Sequence, residues 1–150
     1  MIAVDTNVLV YAEDARDTSG RHEQAASLLT QLANNGAVVP VQVLAEFANV
    51  CRKKAVALAE MIAKKIGQFS VVFDTPETRA SNLQAAITLA DKHRLQFFDA
   101  LIITVAIQAG ATVLLSEDMH DGLQIEGLRI INPFNPDNAV EIAALIASPH

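Results

Sequence analysis

Short apolar runs, too brief for helices, alternate along this chain with longer segments whose apolar residues recur every three to four positions. That alternation restricts the fold more than any other feature. Residues 1–4, 37–39, 70–73, 112–115 and 128–131 read as strands. Between them, 21–34 carries Ala25, Leu28, Leu29 and Leu32 at helical spacing before the stop Asn34-Asn35-Gly36, and 41–53 carries Val43, Leu44, Phe47, Val50 and Cys51 on one stripe. Further helices are predicted over 55–67, from the Thr75-Pro76-Glu77 start to about His93, over 98–108 ended by Gly110, and over 137–147. Strands separated by helix-length connections demand crossovers, and hence a parallel sheet covered by helices on both faces. The chain shows no repeat and no linker, so a single domain over all 150 residues is expected.

Two of the apolar runs end in acid. MIAV leads into Asp5-Thr6-Asn7, and the run before Ser116 leads into Glu117, Asp118 and Asp121. In open parallel sheets, ligands sit outside the carboxyl ends of the strands, where Asp5 and Asp118 both fall. Glu46 comes six residues after Pro40, on the polar stripe of its helix with Gln42, Asn49 and Lys53, and can lean over the same edge. Asp99 opens the helix that feeds the fourth strand. Singly, each has another explanation: a helix cap for Asp5 or Asp99, a solvated face for Glu46, a turn for Asp118. Together, carboxylates at one edge repel one another and raise each other's pKa unless a cation neutralises them. Oxygen donors without clustered His or Cys point to a hard cation, Mg2+ with Mn2+ as substitute.

The remaining composition narrows the chemistry. The only cysteine, Cys51, excludes an internal disulfide and reads as a small buried hydrophobe. His22, His93, His120 and His150 lack ligand-like spacing and read as surface or capping residues. A glycine-rich phosphate loop and a G-x-S-x-G turn are both missing. Neither a signal-peptide pattern nor an apolar run of the ~18 residues a membrane span needs is present, so a cytoplasmic protein without membrane contact is expected. The formal charge of -6 is unevenly placed: five of eleven basic residues, Arg52, Lys53, Lys54, Lys64 and Lys65, lie between 52 and 65 with only Glu60 against them. A turn near Lys54 or Ala55 would project them from two neighbouring helices, as a solvated charged hairpin or as a grip on a phosphate backbone. Hydrolysis of a phosphodiester by activated water is the simplest chemistry consistent with this set.

The motifs VDTNVLVYA, VLAEFANV, FFDALIITVAIQAGA and LLSEDMHDGLQIEGLRIINPF, in this order and spacing, resemble the PIN-domain ribonucleases, especially the VapC-type toxins of toxin–antitoxin pairs. The resemblance covers almost the whole chain. It implies a PIN-like three-layer α/β/α fold with a central parallel sheet of four to five strands. It also implies an acidic quartet of Asp5, Glu46, Asp99 and Asp118 holding one or two Mg2+ ions, with Asn7 and Ser116 in support. Glu117 and Asp121 are alternatives or partners to Asp118 within SEDMHDG. The implied activity is endoribonuclease cleavage leaving 5'-phosphate and 3'-hydroxyl ends, in a homodimer restrained by a small antitoxin. The strongly apolar helix around residues 100–109, with a mean hydropathy of +0.29 for the chain, is read as needing further surface to bury it. Two other readings stand beside this one. A non-catalytic relative would bind without turnover. A phosphatase of the haloacid dehalogenase class would want an Asp where Asn7 stands and a lysine after Lys92, where there is none.

Overall fold

The computed structural model describes residues 1–148. Five strands, β1 (Ile2–Val4), β2 (Ala37–Val38), β3 (Val113–Leu115), β4 (Gln124–Ile125) and β5 (Leu128–Ile131), form one sheet in the order β2-β1-β3-β5-β4. Seven α-helices connect or flank them: α1 (Thr6–Glu13), α2 (Arg21–Asn35), α3 (Val41–Lys53), α4 (Ala59–Val72), α5 (Ala80–His93), α6 (Phe97–Gln108) and α7 (Ala139–Ala147), the last entered through a 3-10 turn at Pro136–Asn138. The β1–β2, β1–β3 and β3–β5 pairs are parallel. These strands are almost wholly buried, as expected when helices cover both faces and each strand reads as a continuous apolar run.

The topology decides where a ligand can sit. From β1 the chain passes through α1 and α2 to β2 on one side, then crosses through four helices to β3 on the other side of β1. The crevice outside the carboxyl ends of β1 and β3 is therefore a topological switch point. Val4 pairs with Leu115, so Asp5 and Ser116 lie one residue beyond the last rung, and the Asp5 N–H donates to the Leu115 carbonyl at 3.0 Å.

Four sequence expectations are corrected. Residues 70–73 are not a strand: α4 runs through Gly67 to Val72, and Val71 is 86% exposed. The β-branched SVVF run suggested β structure, but Ile62, Ile66, Phe69 and Phe73 fall on one helical face, and Phe69 meets the Phe47 ring edge-on at 5.5 Å. Only Asp74 bridges to β2 there, its N–H donating to the Ala37 carbonyl. α5 starts at Ala80 rather than 75, because the Pro76 carbonyl is taken by the Val41 N–H at the start of α3. The sheet is mixed, since β4 folds back antiparallel on β5 through Glu126 and Gly127, both at positive φ, the two-residue hairpin geometry that glycine favours. Finally, the apolar stretch of α6 finds its cover inside the chain, apart from Phe98 in its first turn, which is 63% exposed. Ala100 to Ala106 are all buried within the chain, some of them against Ala86 and Ala90 of α5. Other exposed large apolar side chains include Leu58 and Met61, Val71 and Val72, Leu83 and Ile87, and Val140. Among the described residues no helix is long and apolar enough to cross a membrane.

Candidate metal centre and active site

Asp5 ends β1 and caps α1, so the capping and site readings of this residue hold together. Its Oδ1 accepts from the Thr6 N–H at 2.7 Å, while Oδ2 accepts from the Ser116 hydroxyl at 2.7 Å and from Asn7 Nδ2 at 3.2 Å. Asn7 also donates to Asp118 Oδ2 at 3.3 Å and accepts the Glu117 N–H at 3.1 Å. One amide thus ties the β1 end to the loop after β3 and spaces Asp5 from Asp118. The Ser116 hydroxyl accepts the Met119 N–H at 3.3 Å, which closes the same loop on itself.

Glu46 is oriented by two residues that sequence reading passed over. The Thr6 hydroxyl donates to its Oε2 at 2.9 Å. Gln42, one turn earlier on α3, donates to Oε1 at 2.8 Å and to the Phe98 carbonyl at 3.2 Å, beside Asp99. Gln42 already stood four residues before Glu46 on the polar stripe, a spacing that places the two side chains together; Thr6 sat inside the quoted DTN. Asp99 lies in the first turn of α6 and has no side-chain hydrogen bond among the described residues.

The electrostatics are those of acids without a counter-charge. Burial pushes the Asp5 carboxyl up to about 6, against the lowering effect of its Ser116 and Thr6 hydrogen bonds, with Asp99 and Glu46 adding repulsion. Burial, then Glu46 and Asp118, raise Asp99 as well. Among the described residues none of the four carboxylates forms a salt bridge. No three acidic, imidazole or thiol groups among the described residues are close enough to enclose an ion as they stand. The donor chemistry nonetheless fits one: hard oxygens only, at a switch point, with the Asp5 and Asp99 carboxyls raised and no basic residue paired with the four acids among the described residues.

The alternatives in SEDMHDG separate by their partners. Glu117 accepts from Arg21 Nε at 3.0 Å and lies 3.5 Å from the Tyr11 hydroxyl. Asp121 is held by the Asn132 N–H at 2.9 Å and by Asn135 and Asn138 Nδ2, which hold its pKa below the usual carboxylate value even against burial. It clips the segment after β5 to the loop, leaving Asp118 as the acid that faces Asn7 and Asp99. Replacing Asp121 by Ala is accordingly expected to destabilise the protein by about 2 kcal/mol, through the orphaned Asn132 N–H. Denaturant midpoints would show this, and a midpoint equal to that of the wild type would remove Asp121 from this structural role.

The basic segment turns at Lys54 and Ala55, as its sequence suggested, but at the far end of α1 from Asp5. Lys65 pairs with Glu13 at 3.0 Å, and the Lys54 carbonyl accepts from Arg16, about 12 Å of helix from the carboxylates. Arg52, Lys53 and Lys64 make no salt bridge among the described residues. Two of the histidines have partners of their own: His22 Nδ1 meets the Tyr11 carbonyl at 2.8 Å and His93 lies 3.8 Å from Glu126, while His150 falls outside the described residues. Cys51 is buried, and its thiol is pushed up mainly by that burial.

A PIN domain family model matches residues 2–120, from β1 through the loop that carries Asp118. The chain belongs to the PIN domain family. Solved PIN structures agree in fold. VapC20 of Mycobacterium tuberculosis, described as a sarcin-ricin loop cleaving toxin, is 20% identical, with a TM-score of 0.66 over 79% of this chain and 90% of its own. A toxin-antitoxin complex from Klebsiella pneumoniae is 16% identical, with a TM-score of 0.67 over 89% and 98%. VapBC2 from Rickettsia felis, solved bound to a fragment of its promoter DNA, is 23% identical, with a TM-score of 0.62 over 87% and 97%. No curated protein matches the chain in sequence.

Proposed function

We propose that this PIN-domain protein is a Mg2+-dependent endoribonuclease and the toxin of a VapBC-type toxin–antitoxin pair, acting in the cytoplasm. The observation that carries the enzymatic reading is the set of four carboxylates at the β1/β3 switch point, uncompensated by any salt bridge among the described residues. Asp5, Glu46, Asp99 and Asp118 would hold one or two ions, with Mn2+ able to substitute. A bound Mg2+ supplies acidified water and positive charge for the phosphate oxygens.

The chain's own residues do the rest. Thr6 and Ser116 fix the Asp5 carboxylate, so it need not reorganise during reaction. Thr6 and Gln42 hold the Glu46 carboxylate by both oxygens. Asn7 sets the spacing between Asp5 and Asp118. Asp99, in the first turn of α6 and without a side-chain hydrogen bond among the described residues, keeps both carboxylate oxygens free for an ion.

The partner reading is supported by neighbours that are themselves toxin–antitoxin assemblies. An antitoxin is proposed to cover the site, and a homodimer to form through the exposed Leu83, Ile87 and Phe98. The enzymatic reading is tested by incubating the purified protein with defined RNAs in Mg2+, in Mn2+ and in EDTA. Cleavage in both metals, none in chelator, and products ending in 5'-phosphate are the expected result. RNA binding with no turnover in either metal would leave a binding module instead.

A further inference from the structure

The loop that carries Asp118 has one basic side chain attached to it, and that side chain is not in the basic segment. Arg21, at the start of α2, reaches Glu117 through Nε at 3.0 Å. Its guanidinium carbon lies 5.8 Å from the centre of the Tyr11 ring and 5.6 Å from that of Phe134, and those rings meet edge-on at 5.2 Å. Tyr11 follows Asn7 by one turn of α1, so Asn7, Tyr11 and Arg21 run outward from the carboxylates along one face. Of the five N–H groups of Arg21, only Nε–H has a partner among the described residues. A guanidinium stacked on aromatic rings, with its terminal donors unused and its side chain 36% exposed, is the arrangement that takes a phosphate and steadies a stacked base.

We propose that Arg21 is the contact for an RNA phosphate neighbouring the one that is cut, and that Glu117 holds it in position until that phosphate replaces the carboxylate. This rests on the ribonuclease reading above. The alternative grip is poorly placed for the same task. Lys65 is engaged by Glu13 and the Phe69 ring, and Arg16 is spent on Asp14 and the Lys54 carbonyl. Both contacts lie at or beyond the C-terminal end of α1, past Tyr11, and neither touches the loop that carries Asp118. Glu117 is what a holding group should be: an exchangeable carboxylate beside the site, in an ion pair only partly shielded from water.

The test uses fluorescently labelled single-stranded RNA bound in Ca2+, with RNA integrity checked on gels, across a salt series. Arg21→Ala is expected to weaken binding about tenfold, the scale of one charge-assisted hydrogen bond, and to reduce the salt slope by about 0.7. Glu117→Gln is expected to act in the opposite direction, tightening binding roughly two- to fivefold as the ion pair is released. A merely structural brace between α2 and the loop would make both variants bind less well, and that result overturns the proposal. So does an unchanged slope in Arg21→Ala alongside a flattened one in the Lys53, Lys54, Lys64 and Lys65 quadruple Ala variant, which would place the RNA on the α3–α4 side. If the wild type neither binds nor cleaves RNA, the ribonuclease reading falls with it; if the wild type cleaves and Arg21→Ala is indistinguishable from it, only this proposal falls.

Discussion

Replacing Asp99 by Asn is expected to cut Mg2+-dependent cleavage by at least about a hundredfold while making the metal-free protein more stable, not less. The two effects have one origin. Asp99 is half-buried, its pKa is raised by burial and by Glu46 and Asp118, and no side-chain hydrogen bond among the described residues compensates it. The amide keeps the shape and removes the charge, so repulsion falls and cation affinity falls with it. Thermal unfolding in EDTA should show a higher midpoint than wild type, and cleavage assays in Mg2+ should show the loss. A variant that cleaves at near wild-type rate, or loses activity only because it no longer folds, would remove Asp99 from the site.

The second large effect is the pH dependence of stability. Asp5 has its pKa raised from 3.8 to about 6, so between those values the folded protein binds more protons than the unfolded chain. Stability from this group is therefore fully present below 3.8 and is lost as pH rises through about 6. At roughly 1.4 kcal/mol per unit, ionised Asp5 costs the fold about 3 kcal/mol. Asp99 acts in the same direction. Asp14, Asp17, Asp121 and Glu126 have lowered pKa values, and their contributions disappear only as pH falls below the ordinary carboxylate range. The metal-free melting temperature should accordingly rise by about 3–6 °C from about pH 7.5 to about pH 5, then turn down below about pH 4. Saturating Mg2+ at neutral pH should raise the midpoint and flatten this dependence. A midpoint that falls steadily on acidification from pH 7.5 would show that Asp5 is not held at that cost.

Most of the fold was legible because its elements have distinct periods. The helices α2 and α3 carry clear apolar stripes, and the strands β1, β3 and β5 are short apolar runs between turn residues. What escaped lacked such contrast. α1 is buried on nearly every side, with Val8, Leu9, Val10 and Ala12 all inside, so no polar face marks it as a helix and its sequence reads only as a turn or helix start. Residues 70–73 carry β-branched side chains, yet the packing of Phe69 and Phe73 outweighs that local preference and prolongs α4. Asp5 and Asp118 were placed at one edge by the strands they follow and Glu46 by its distance from β2, whereas Asp99, which opens a helix, joins the set through the family resemblance. Their supports were not: Gln42 reaches the Phe98 carbonyl 56 residues away, a contact between the first turns of α3 and α6. The basic segment shows the converse, because a charge cluster marks a segment without saying which end of α1 it will meet.

The hydrogen bond from Ser116 to Asp5 spans 111 residues of a 150-residue chain, and the loop it fastens carries the last of the four acids. β1 has no β3 to pair with, and Asp5 no partner across the switch point, until residues 113–116 have been made. Because such distant pairings close late and at the cost of a long loop, a chain that lacks β3 cannot assemble the carboxylate site.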